Sequence, residues 1–181
     1  MSEENEKKTL FQKIQLRVES DLLGKYTALD RPGWFLKYFF KMPIFMWKIG
    51  LGEFVGPYYL LITTRGRKSG KWRDTPLEFS RHKLTNEPVI ISGWAYRSDW
   101  VKNLIADPRL QVRIGRQHYN AIAISLSLEE CADTIEEYTT YAPTMKKVFE
   151  RWSQIPLDGT RQSLLENAKF FPCFRLQKED D

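Results

Sequence analysis

Apolar residues recur along this chain in two rhythms, and the changes from one to the other divide it into elements. Residues 9–23 carry Leu10, Phe11, Ile14, Leu16, Val18, Leu22 and Leu23 at roughly helical spacing, with Gly24 as a stop. Strand-like stretches follow at about 57–64, 75–81, 87–93, 109–115, 118–127 and 170–177. Arg109-Leu110-Gln111-Val112-Arg113-Ile114 alternates cleanly, which gives it one apolar face. Beyond the short turn Gly115-Arg116-Gln117, Tyr119, Ala121 and Ala123 share one face, and Ile122 and Ile124 the other. Val89-Ile90-Ile91 is short and continuous, as in a strand buried on both sides. Pro172 suits an edge strand or the beginning of one.

Helices are expected between and after these strands. Ser98 to Pro108 reads as one, with Ser98 as its N-cap and the proline as its end. Ser127-Leu128-Glu129-Glu130 has the capping-box pattern and should open a helix to about Thr140. Pro143 restarts a helix through Trp152, and 156–169 reads as a turn and a short helix. Mostly sequential strands with few crossover helices predict an antiparallel barrel.

The most apolar stretch, residues 34–51, holds Trp34, Phe35, Phe39, Phe40, Phe45 and Trp47, but also three lysines and the central Pro43. Those interruptions argue against a spanning helix, which needs ~20 predominantly apolar residues. Lys37 and Lys41 share one helical face opposite a broad aromatic one. The segment reads as a lid over the core, as a membrane-surface helix or as the wall of an apolar pocket. On this reading 1–56 is a helical, aromatic lead-in to a barrel formed by 57–181, the two making one folding unit.

Composition adds little until charge is located. The chain has 181 residues, 28 of them basic and 23 acidic, for a formal net charge of +5. Five cations (Arg65, Arg67, Lys68, Lys71 and Arg73) lie in one loop with Gly66, Ser69 and Gly70, so the basicity belongs to a site more than to a general coat. A hairpin needs only roughly 2–5 loop residues. Glycines can turn backbone N–H groups into a concave nest, and flanking Arg or Lys supply charge-assisted hydrogen bonds, so the loop reads as a phosphate or carboxylate cradle or as an exposed basic turn. Cys131 and Cys173 are far apart in sequence and suggest no disulfide framework, and His82 and His118 are isolated, so no metal site is expected. The charged segment 1–8 lacks the apolar core of a secretion signal, which makes a cytoplasmic location the expectation.

Three features occur here in one order: Thr63-Thr64-Arg65-Gly66-Arg67-Lys68-Ser69-Gly70 followed by Arg73 and Pro76-Leu77, then Ser92-Gly93-Trp94, then Asp99-Trp100 with Asn103-Leu104, Ala106 and Pro108. Together they resemble the deazaflavin-dependent nitroreductase family, over roughly residues 32–178. The resemblance implies an α+β split β-barrel (FMN-binding-like) of about six mainly antiparallel strands with flanking helices. It also implies coenzyme F-420, a long polyanion with one phosphodiester and an apolar deazaflavin head. Arg67, Lys68 and Ser69 match positions that contact the phosphate region. Arg73, Asp74, Thr75, Pro76, Leu77 and Glu78 match the strand along the cofactor. Ser92, Gly93 and Trp94 match a loop beside the ring, and Trp100, Val101, Lys102 and Asn103 match the helix that closes the site, with Asp99 at its N-terminal end.

The function implied is hydride transfer from reduced cofactor to a small, apolar, electron-poor acceptor, the cofactor carrying the hard step. Where the family has a Tyr-Pro-Ser-Tyr-like segment this chain has Tyr141-Ala142-Pro143-Thr144-Met145. Tyr141 and Glu78 are the candidate proton donors; the plainer readings are a surface tyrosine and a carboxylate paired with Arg73 or Arg81. Related barrels hold FMN or heme, and FMN stands as the alternative cofactor. A non-enzymatic module on anionic membranes, through 34–51, is the other alternative. Nucleic acid is not an expected partner, because no recognition motif accompanies the cations. Oligomeric state is left open.

Overall fold

The computed structural model of the chain describes residues 59–141 and 143–179, together with Phe45 and Trp47. The strands are β1 (Tyr59–Arg65), β2 (Trp72–Glu78), β3 (Ser80–Arg81), β4 (Pro88–Ile91), β5 (Arg109–Ile114), β6 (Gln117–Ser125) and β7 (Cys173–Lys178). The helices are α1 (Asp99–Ala106), α2 (Leu128–Tyr141), α3 (Thr144–Ser153) and α4 (Arg161–Ala168). The expected helix over 9–23 and most of the aromatic segment 34–51 lie outside the described residues.

All strand pairs are antiparallel, in the order β2-β1-β5-β6-β7-β4-β3. The two ends of that order are consecutive in the chain, separated by Phe79 alone. One stretch, 72–81, therefore pairs with β1 through its first part and with β4 through its last. This curls the sheet back on itself and leaves little open edge. The architecture is an α+β split barrel. The single strand predicted over 75–81 is thus corrected to two, because a continuous segment has to serve two different partners. β7 starts later than predicted, at Cys173, and lies between β6 and β4. Pro172 stands just before it, where its missing N–H costs nothing and its carbonyl accepts from the Ser92 amide at 3.2 Å.

The period-two pattern sorts the side chains as expected. Leu60, Ile62, Ile90, Leu110, Val112, Ala121, Ala123 and Leu176 fill the barrel together with Trp100, Val101 and Leu104 of α1. Trp100 meets Phe174 edge to face, 6.0 Å between centroids, so α1 is plugged into the barrel and its first turn is held in place. A second core forms outside the sheet, where α2, α3 and α4 bury Ile135, Phe149, Leu157, Leu164 and Phe171. Cys131 and Cys173 share this core as buried free thiols, Cys131 Sγ donating to the Leu126 carbonyl at 3.9 Å and Cys173 Sγ to the Phe171 carbonyl at 3.5 Å.

Local signals that depend on a few neighbouring residues behave as predicted. The Ser127 amide and hydroxyl donate to Glu130 Oε2 at 2.8 and 2.6 Å, and the Glu130 amide donates back to Ser127 Oγ. Those donors hold the Glu130 carboxyl below its usual range. Ser98 does occupy the N-cap position of α1, yet its side chain makes no capping bond. Of the aromatic lead-in, Trp47 is 6% exposed and its indole N–H donates to the Gly115 carbonyl at 3.4 Å, whereas Phe45 is 60% exposed.

Candidate functional site

The basic loop spans Gly66 to Lys71, because β1 and β2 stay paired up to Arg65 opposite Trp72. Two glycines permit its shape. A Cβ on Gly66 would lie 2.9 Å from Ser69 Oγ and 3.1 Å from the Lys71 carbonyl, and Gly70 has φ +64°. The loop consumes its own backbone donors: Gly66 N–H reaches the Lys71 carbonyl (2.9 Å), while Ser69 and Gly70 N–H reach the Gly66 carbonyl (3.2 and 2.7 Å). The Lys71 amide donates to Ser69 Oγ, and the Arg67 amide to Asn103 Oδ1. Five of the six loop amides are thus engaged within the protein, so the Lys68 amide and the Lys, Arg and Ser side chains are left to meet an anion.

One side chain ties this loop to α1. The Arg67 guanidinium donates to Asp99 Oδ1 through Nη1 and Nη2 (3.1 Å each), to the Asp99 carbonyl (3.4 Å) and to Asn103 Oδ1 (3.1 Å). Asn103 is 4% exposed and donates in turn to the fully buried Thr64 hydroxyl at 3.3 Å. The chain Thr64–Asn103–Arg67–Asp99 thus crosses from β1 through α1 to the loop.

The turn after β4 joins the same end of the barrel. Ser92 is buried and donates to the Ala95 carbonyl at 2.8 Å, so the Ser98 hydroxyl, 2.8 Å away, is the donor in the Ser92–Ser98 pair. Ala95 has φ +51°, a left-handed conformation that costs a non-glycine residue energy and is kept by these surrounding bonds. Between the serines stand Gly93 and Trp94; a Cβ on Gly93 would meet nothing within 4 Å, so open space adjoins its backbone.

Strand geometry divides the remaining predicted residues. Leu77 packs into the barrel core, and the period of two puts Arg73 and Thr75 on its face, beside Thr64 and the loop. Trp72, Asp74, Pro76 and Glu78 lie on the other face. There Thr63 Oγ1 donates to Asp74 Oδ1 (2.7 Å) and the Tyr59 hydroxyl to Glu78 Oε1 (3.4 Å), each between directly opposed residues. Arg73 and Glu78 are five positions apart, ~17 Å along a strand, and on opposite faces of β2. In α1, Asn103 faces the loop and Trp100 and Val101 face the barrel core, while Lys102 is exposed. Tyr141 closes α2, and its side chain lies outside the described residues.

The structure also places residues that the sequence did not single out. Tyr138, three positions before Tyr141, has its hydroxyl pushed well above the ordinary range by burial and then by nearby Glu78. Tyr59 reaches the same carboxylate from across the sheet. The i−3 spacing of Tyr138 from Tyr141 was visible, but its approach to Glu78 depends on how α2 docks.

Residues 48–157, more than half of the chain, match the family model described as F-420H(2)-dependent quinone reductase. The chain belongs to this family. It is an oxidoreductase, and its cofactor is coenzyme F-420. Similar solved structures include the F-420-H(2)-dependent reductase FDR-A, at 20% identity and TM-score 0.39 over 66% of this chain and 93% of that one. A conserved hypothetical protein from Mycobacterium tuberculosis matches at 15% identity and TM-score 0.44, over 74% of this chain and 81% of that one. A protein of unknown function from Agrobacterium tumefaciens matches at 16% identity and TM-score 0.49, over 68% of this chain and 49% of that one, so this chain spans about half its length.

For this member of the family the residues present fit such a cofactor. Exposed Lys68, Lys71 and Arg73 stand with Arg67 at one loop, charge-assisted donors of the kind a phosphate takes, and open space adjoins the Gly93 backbone. No helix among the described residues is long and apolar enough to cross a membrane.

Proposed function

We propose that this protein reduces a small, apolar, electron-poor acceptor, of the quinone or enone class, by hydride transfer from reduced F-420. The observation that carries this reading is the Thr64–Asn103–Arg67–Asp99 chain, which fastens the most cationic loop of the molecule to the helix and turn at one end of the barrel. Bound cofactor supplies the hydride. The chain's residues do the rest: Lys68, Ser69 and Arg73 hold the phosphate with Arg67, and Asn103 keeps Arg67 in place. Thr75 and Leu77 line the inner face of β2. Ser92 and Ser98 fix the Gly93–Trp94 turn beside the ring, and Trp100 and Val101 anchor α1 over the barrel, with Lys102 adding positive charge at its surface.

Fluorescence titration with F-420, beside FMN, tests the reading. Saturable F-420 binding weakened at least ~10-fold in the Arg67→Ala/Lys68→Ala variant is the expected result, since loss of charge-assisted hydrogen bonds costs roughly 1.5–3 kcal/mol. Binding of FMN alone, or of neither ligand, would overturn it.

Proton delivery to the acceptor is assigned to Glu78 or Tyr141, with Tyr59 and Tyr138 setting the environment of Glu78. Glu78→Gln and Tyr141→Phe are measured separately for kcat against pH with a quinone acceptor. One of them should lower kcat by roughly 10²-fold and flatten the profile, as for loss of a general acid. If both profiles match the wild type, neither residue delivers the proton.

A further inference from the structure

Asp99 is the one acid in direct contact with the cradle guanidinium, among the described residues. Its Oδ1 lies 3.1 Å from both Nη1 and Nη2 of Arg67, so it occupies the fork that an anionic oxygen would enter. The two partners are unequally held. The Arg67 side chain is 27% exposed and is retained by Asn103, which the barrel buries; the Asp99 side chain is 85% exposed. An exposed ion pair of this kind contributes little, and Asp99 has solvent to rotate into. It cannot go far, because Asp99 begins α1 and its own carbonyl is 3.4 Å from Nη1. An anion bound at Arg67 therefore has a fixed negative charge within one side-chain length.

We propose that Asp99 sets the charge selectivity of the cradle: the carboxylate tethered beside the Arg67 fork admits a singly charged phosphodiester and disfavours a doubly charged phosphomonoester. The inference rests on the reading that the phosphate of F-420 enters this loop. It reverses the role expected for Asp99, which becomes a filter against the wrong ligand and not a contact for the right one. A phosphodiester brings one negative charge toward the carboxylate. A phosphomonoester brings nearly two at neutral pH. At the phosphate group itself the repulsion is therefore weaker for F-420 than for FMN, without any contact to the ring. For charges roughly 6 Å apart in a water-like dielectric, each added unit charge alters affinity about threefold.

Binding titrations of wild type and Asp99→Asn with F-420 and with FMN, at low and at physiological salt, decide the matter. Asn keeps the size and an acceptor oxygen for Arg67 while removing the charge, and the melting temperature without ligand checks that the fold is intact. FMN affinity should rise in Asp99→Asn at least threefold more than F-420 affinity does, and the gap should narrow as salt is added. Equal shifts for both ligands, weaker binding of both, or no gain for FMN would overturn the selectivity role while wild-type F-420 binding leaves the cofactor reading standing. Wild type that binds no F-420 overturns both.

Discussion

Phe171→Ala should cost ~3–5 kcal/mol of folding stability, the usual range for emptying a buried aromatic site. Phe171 is fully buried and packs edge to face on the equally buried Phe149, 4.8 Å between centroids. The surrounding cluster brings together Cys131, Ile135, Leu164 and Cys173 from two helices and a strand, so no single neighbour can move in to fill the void. In a domain of this size the change corresponds to roughly 10 °C in melting temperature. A second consequence follows from chain continuity: Pro172, the next residue, accepts the Ser92 amide, so the turn beside the proposed ring site should loosen as well. Thermal melts with and without F-420 check both parts. A fall of less than about 3 °C would show that the helical layer repacks and that this cluster is not a main support of the fold.

Asn103→Ala should have the second largest effect, and of a different kind. One amide side chain here serves three groups: its oxygen accepts the Arg67 amide and guanidinium, and its nitrogen donates to the Thr64 hydroxyl. Truncation leaves Thr64, inside the barrel, without that partner, at a cost of about 1–3 kcal/mol. The Arg67 side chain then keeps only the exposed Asp99, an interaction worth roughly 0–1 kcal/mol. The loop should lose its fixed position, and the affinity for F-420 should fall by more than the stability loss alone explains. Asn103→Asp separates the contributions: it keeps an acceptor for Arg67 but surrenders the donor to Thr64. Melting curves and F-420 titrations of both variants form the test. An Ala variant with wild-type melting temperature and wild-type affinity would show that the loop holds its shape through its own hydrogen bonds.

The two substitutions mark different layers of how the sequence encodes the protein. The Phe171 region was legible as an apolar segment, Phe170 to Leu176, though its strand starts later than the pattern suggests. Alternation in β5 and β6, the continuous run in β4 and the capping box at Ser127 were all readable. Each is set by residues within a few positions of one another, where pleat, turn and cap geometry act directly. The cationic loop and its order relative to Gly93 and Asn103 were likewise readable, and they carry the resemblance to the family.

What lies between those segments was not readable. Phe79 divides one strand into two because its neighbours pair with β1 on one side and β4 on the other. The loop spends most of its N–H groups on itself and on Asn103, leaving mainly side chains to meet an anion. Ser98 serves Ser92 and not the helix end, Cys131 and Cys173 fall in one buried cluster, and Tyr59 donates to Glu78. The sequence by itself determined which residue types were available, the periods of the strands and helices, and the concentration of charge in one loop. Which strands each segment pairs with, and which carboxylate and amide stand at Arg67, were decided only when distant segments packed together. The contacts of Arg67 with Asp99 and Asn103, and of Asn103 with Thr64, join residues 32, 36 and 39 positions apart, and no local rule of spacing or propensity specifies them.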